Sequence, residues 1–256
     1  MNIFQQLFKS MYSPKDISRF RFQGIGKTIL FLFFLALISI IPASYYLTSF
    51  TNNAIEGVTK SLKEDLPSFT IQNGELSSDN KEPIEIEKDQ YTFLFDSTGT
   101  VTEGDLDSNE NMIALLKDRF VIVNAGSVQS SPYSMVSGLN VTNEDILDFV
   151  NSAESLKYIF IPVMIVVLYL TTSASLFLKV TIFALIGLLL ANMLNRKLPY
   201  RQSWRITAYS ITLSTIFLML MGLFQIGIPG SFLLDWFVIC IMLYLSIKEI
   251  PKRKAA

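Results

Sequence analysis

The chain contains no histidine and a single cysteine, Cys240, which lies inside an apolar run. Without histidine it lacks the commonest general base and metal ligand at neutral pH, and any thiol nucleophile that needs an imidazole partner. One cysteine excludes an intrachain disulfide. Charge is scarce as well: 17% of the residues are Asp, Glu, Lys or Arg, 50% are apolar, and mean hydropathy is +0.41. Soluble domains carry about 25% charged residues, so this composition points to integration in a lipid bilayer. No cofactor is implied.

The few charges are sorted along the chain. Of 22 acidic residues, 19 fall between residues 49 and 157, where 7 basic residues leave a net charge near −12. A segment so acidic excludes nucleic acid as a partner. Thirteen of the 21 Lys and Arg lie in three short segments beside apolar runs: residues 1–27, 196–205 and 248–256. Cytoplasmic loops of membrane proteins retain Lys and Arg, whereas an exported segment is free to be acidic. The segment 1–27 reads as cytoplasmic, with Ile3, Phe4, Leu7, Phe8, Met11 and Tyr12 at helical spacing, an amphipathic stripe suited to the membrane interface. Ser13, Pro14 and Asp16 then form a helix-start signal.

Residues 28–48 are long enough to cross a hydrocarbon core of about 30 Å and predict a first transmembrane helix. Residues 158–195 are mostly apolar and would make a helix of about 57 Å, so they form one long pass or two short ones. Two passes from a cytoplasmic N-terminus would export both later basic segments, against the positive-inside tendency. One long pass keeps all three inside. Residues 206–226 and 231–247 predict two further helices joined by the turn GIPG. The expected fold is therefore a membrane α-helical protein with four transmembrane helices and an inserted extracytoplasmic β-rich α+β domain at 49–157. Breaks at Pro162 or in TTSAS (171–175) leave a five-helix alternative open.

Within 49–157, Asn73-Gly74 is a two-residue hairpin signal. Ile84 and Ile86, then Tyr91, Phe93 and Phe95, alternate as half-buried strands do, and RFVIVN at 119–124 reads as another strand. Thr142 and Asp145 open a helix that runs without a stop into the next apolar segment.

Four features bear on chemistry. FDSTGTVTEG (95–104) resembles the D-K-T-G-T-L-T-E phosphorylation loop of P-type ATPases, whose Asp is a phosphate-accepting nucleophile. Ser97 stands in place of that family's Lys, and the other motifs are missing, so the loop reads as a strand ending in an Asp- and Gly-containing turn. Asp105, Asp107 and Asn109 match the start of a calcium loop, but Glu110 and Leu116 occupy the positions of its Gly and bidentate Glu. Asn140-Val141-Thr142 has the form of a glycosylation sequon. Lys179 and Asp235 are charges within apolar segments, costly there unless paired, snorkelling or functional. Counted from the inner helix ends they lie at matching depths, about 24 and 20 Å, which predicts that they approach each other as an intramembrane ion pair.

The stretches FKSMYSPKDISRFRFQGIGKTI, TIQNGEL, FDSTGTV and LPYRQSWRITAYS together resemble the family called domain of unknown function 1189, multi-pass membrane proteins of Gram-positive bacteria. One branch of that family is labelled as maltodextrin-utilisation proteins. The family carries no established catalytic residues, so none is transferred. LPYRQSWRITAYS is also similar to a segment of five-helix Yip-type membrane proteins. The combined expectation is a non-enzymatic protein of the bacterial cell membrane with both termini cytoplasmic. It would act as an accessory, sensing or scaffold component at the envelope, linked through the resemblance to carbohydrate uptake and to partners such as an ABC sugar transporter. The alternative is a small transporter or channel with Lys179 and Asp235 near its pathway.

Overall fold

The computed structural model describes residues 1–87, 91–107, 111–124, 126–136, 138 and 140–252. Contacts divide the chain into a helical unit, Met1–Ser49 with Ile159–Ala256, and a β unit, Phe50–Tyr158. Four helical stretches are long and apolar enough to cross a membrane: Ile25–Asp65, Asn143–Met193, Tyr200–Leu223 and Ser231–Lys248.

The chain opens with two short helices, each with a local start signal. In α1 (Ile3–Tyr12), Asn2 caps the Gln5 N–H at 2.8 Å and the Gln5 side chain reaches back to the Asn2 N–H. Helix α2 (Pro14–Phe20) has Ser13 as its cap, whose hydroxyl accepts from the Asp16 N–H. Helix α3 (Ile25–Ser39) gives way at Ile40 to α4 (Ile41–Lys60). Pro42 supplies the cause, because a proline has no N–H for the carbonyl one turn back. A π-helical turn, Ser61–Asp65, ends the stretch.

Among the described residues the β unit holds two sheets. β1 (Phe69–Gln72) and β2 (Glu75–Ser78) form the hairpin, with Asn73 at φ 54° and Gly74 at φ 84° as a type I′ turn demands. The second sheet contains β3 (Ile84–Glu87), β4 (Thr92–Phe95), β5 (Met112–Leu115), β6 (Arg119–Asn124) and β7 (Ser127–Pro132) in that order. Among the described residues of this sheet the β4–β5 pair is parallel and the other pairs are antiparallel. β8 (Val141–Thr142) pairs with β1 and completes the first sheet. Phe93, Phe95 and Leu115 join the core formed with Phe69, Ile71 and Leu76, while Leu94, Met112, Ala114, Val121 and Val123 fill a separate core on the opposite face.

The long segment that admitted one pass or two is one helix, α5 (Asn143–Met193), continuous through Pro162 and TTSAS. Thr142 and Asp145 cap it reciprocally: the Asp145 carboxylate accepts from the Thr142 N–H at 2.8 Å and the Thr142 hydroxyl from the Asp145 N–H. Tyr200 begins a further helical stretch, inside the segment expected as the loop 196–205. It is broken at Ile211 into α6 (Tyr200–Ser210) and α7 (Thr212–Leu223). No proline marks this break. Ser210 instead bonds the Ile206 carbonyl, and Ser214 and Thr215 both bond that of Ile211, a back-bonding pattern that bends helices. Helix α8 (Ser231–Lys248) follows Gly230 at φ 70°.

The helical unit packs around Phe31, Leu35, Val180, Phe183, Ile206, Tyr209, Ile239 and Leu243. At Gly187 the helices approach so closely that a β-carbon would stand 2.4 Å from the Ser203 hydroxyl and 3.5 Å from Leu243.

Candidate functional site

Thr171, Ser175 and Lys179 recur every four residues on α5 and therefore share one face. With Ser39, Tyr46 and Thr215 they line an open groove of about 530 Å³ bounded by α3–α4, α5 and α7. Lys179 donates from Nζ to Asp235 Oδ2 at 2.8 Å. Asp235 lies one turn into α8 and is 4% exposed, whereas the Lys179 side chain is 28% exposed. The structure thus brings these two residues together across 56 positions of sequence. Asp235 Oδ1 has no donor among the described residues. An ammonium has three N–H donors, so Lys179, which lines the groove, keeps two beyond its hydrogen bond to Asp235. Pro42, Ala43, Leu176, Leu218 and Met219 complete the lining, so the groove sets one ammonium and a row of hydroxyls against an apolar wall. Thr171, Thr172 and Ser175 of its hydroxyl lining belong to the TTSAS run, in sequence a candidate helix break; the four-residue spacing with Lys179 is the signal that marks the face.

The basic segments also meet. Arg196 donates from Nη2 to the Lys248 carbonyl at 2.9 Å and pairs with Lys252 in a β-bridge. Arg205, 8% exposed, donates from Nη1 to the Arg21 carbonyl at 2.9 Å. The buried Tyr209 hydroxyl lies 3.1 Å and 3.0 Å from the side-chain amides of Gln6 and Gln23, and its ring packs on Phe20 and Phe31. LPYRQSWRITAYS is therefore one of the stretches that hold α1 and α2 against the helical unit, beside the packing of α2 on α8 and of α1 on α7. Polarity spaced at i, i+4 in Arg205 and Tyr209 was its sequence signal.

In the β unit, Asp96 directly follows β4 and is fully buried. Its carboxylate accepts from the backbone N–H groups of Thr98 (2.8 Å), Gly99 (3.2 Å) and Val101 (2.7 Å) and from the Thr98 hydroxyl (2.6 Å). Burial pushes the carboxyl upward, and the hydrogen bonds from Thr98, Val101 and Gly99 outweigh it, holding Asp96 below the usual carboxylate range. Every donor found among the described residues comes from its own loop, so the carboxylate holds a turn closed.

Of the calcium-loop residues, Asp105 accepts from the Thr102 N–H and hydroxyl at 2.8 and 2.6 Å and caps the 3₁₀ turn Glu103–Asp105. Asn109 lies outside the described residues. Among the described residues, Asp107 included, no group of three or more Asp, Glu or Cys is placed to hold a metal ion. Arg119 instead bridges Glu103 and Asp118 at 2.7 and 2.9 Å on the surface.

No curated protein and no solved structure matches the chain. The family model described as protein of unknown function (DUF1189) matches residues 4–247, nearly the whole length, and the chain belongs to that family.

Proposed function

We propose that this is a non-enzymatic integral protein of the bacterial cell membrane, with residues 49–157 extracytoplasmic and both termini cytoplasmic, acting as an accessory, sensing or scaffold component at the envelope. The observation that carries the topology is the meeting of the basic segments: Arg196 bonds the Lys248 carbonyl and Arg205 bonds that of Arg21. Three segments that share one end of the helices share one side of a bilayer, and the side that retains Lys and Arg is the cytoplasm. The reading as a non-enzyme is supported by Asp96, whose carboxylate is consumed by its own turn. A link to carbohydrate uptake rests on the label of one branch of the family.

Alkaline phosphatase inserted near residue 80 should be active, and the same reporter after residue 256 inactive; the reverse result would sink the topology. Affinity purification from native membranes should recover membrane subunits of an ABC sugar transporter. Recovery of this chain alone would remove the accessory role.

The groove at Lys179 favours a second reading as a small transporter, with the Lys179–Asp235 pair beside the pathway. Solute flux into liposomes containing only this protein, lost in a Lys179→Met variant that still folds, would replace the first reading.

A further inference from the structure

Helix α1 divides its apolar stripe between two environments. Ile3, Leu7 and Met11 pack against the core of the helical unit. Phe4, Phe8 and Tyr12, each four residues from the next, are 60, 66 and 71% exposed. An exposed row of three aromatic rings on a ten-residue helix is costly in water. The depth of that row is marked by its first ring: Phe4 meets Phe34 edge to face, with centroids 5.3 Å apart. Phe34 lies in α3, within the apolar stretch Ile25–Asp65, so whatever surrounds that stretch also surrounds Phe4.

The charges beside the row are mostly positive. Asp16, the one acid of residues 1–27, pairs with Lys9 at 3.3 Å and lies 3.9 Å from Arg19. Lys15 and Lys27 are exposed, and Arg21 stacks over the Phe22 ring at 4.3 Å. Arg196 and Arg205 tie the other two basic segments to the same end, where Glu249 is the one further acid. Aromatic rings that insert beside Lys and Arg that reach phosphate are the two components of binding to an anionic membrane surface.

We propose that the outward face of α1 is a lipid-binding surface, inserted into an anionic leaflet of the bilayer that the helices span. Phe4 and Phe8 lie among acyl chains, Tyr12 lies at the headgroup level with its hydroxyl toward water, and Lys15, Lys27 and Arg21 contact lipid phosphate. Anionic lipid then orders the N-terminal helices against the helical unit, and a neutral bilayer holds them less firmly. This rests on the reading of the four helices as membrane spans.

The test uses the full chain with Cys240→Ser, carrying a nitroxide on Phe8→Cys, in bilayers of phosphatidylcholine alone or mixed with phosphatidylglycerol. A second labelled variant, Phe237→Cys on α8, a position 67% exposed, reports insertion of the spans. At both positions oxygen should reach the label several-fold more readily than a water-soluble nickel complex does. At Phe8 that ratio should rise further with phosphatidylglycerol, and a Lys15→Glu/Lys27→Glu variant should lose the rise. A water-accessible label at Phe8 with a lipid-embedded label at Phe237 overturns the proposal and leaves the spans standing. Water access at both overturns the spans too. Dipolar broadening between Phe8 labels would show a second copy covering the row and overturns the lipid assignment, and equal ratios in both bilayers overturn the preference for anionic lipid.

Discussion

Thr98, Gly99 and Val101 aim N–H groups at Asp96 from its own loop, which favours its ionised form in the folded β unit. Its folded pKa lies below the unfolded value, so the stability it supplies is present above about pH 4 and is lost as pH falls through the lower folded value. Thermal melts of the full chain should decline below about pH 4, and Asp96→Ala should flatten that decline while costing about 2–3 kcal/mol at neutral pH. An unchanged acid limb in the variant would show that other carboxylates set it. The Lys179–Asp235 pair calls for a different experiment. Removing one partner leaves a desolvated charge, at a cost of about 3–5 kcal/mol, so Lys179→Met and Asp235→Leu should each lower the melting temperature in detergent. The double variant should recover most of the loss. If it also retains any activity assigned to the groove, the pair is structural; a stable double variant without that activity makes the pair part of the site.

Among the elements, those with a periodic face and a chemical start or stop were legible. Asn73-Gly74 announced β1 and β2 through the positive φ that both residues adopt, and the Thr142–Asp145 box announced the start of α5. β5 was not legible, because its residues are buried on both faces and Met112-Ile-Ala-Leu115 shows no alternation. β7 was missed for the opposite reason: it is an exposed edge strand of mostly polar residues ending at Pro132. The α6–α7 break depends on hydroxyls turning back on their own carbonyls, which composition alone does not announce. Close packing at Gly187 was equally silent. Gly187→Leu drives a side chain into Ser203 and Leu243, and should lower stability by about 1–3 kcal/mol, read as a lower melting temperature and poorer monodispersity in detergent. A variant as stable as the parent would mean that α6 can move away from α5.

For the whole molecule, family membership and four helices capable of crossing a membrane agree with the reading of a membrane protein from composition and motifs. Under the proposed topology the Lys and Arg beside the spans set which side each end faces, and replacing Lys197 and Arg201 with Gln should weaken that orientation, seen as mixed reporter activity after residue 256. Membrane character, the apolar stretches and the acidic insert were all present in the linear chain, because transfer from water to hydrocarbon is close to a sum over neighbouring residues. The same holds for caps and hairpin turns, whose partners lie within a few positions. Tertiary structure alone decided that hydroxyls of three helical stretches share a groove beside the Lys179–Asp235 pair, and that α1 turns Ile3, Leu7 and Met11 inward and leaves Phe4, Phe8 and Tyr12 outside. Each of these depends on which surfaces meet after the chain has folded, a property of non-local packing that no window of sequence contains.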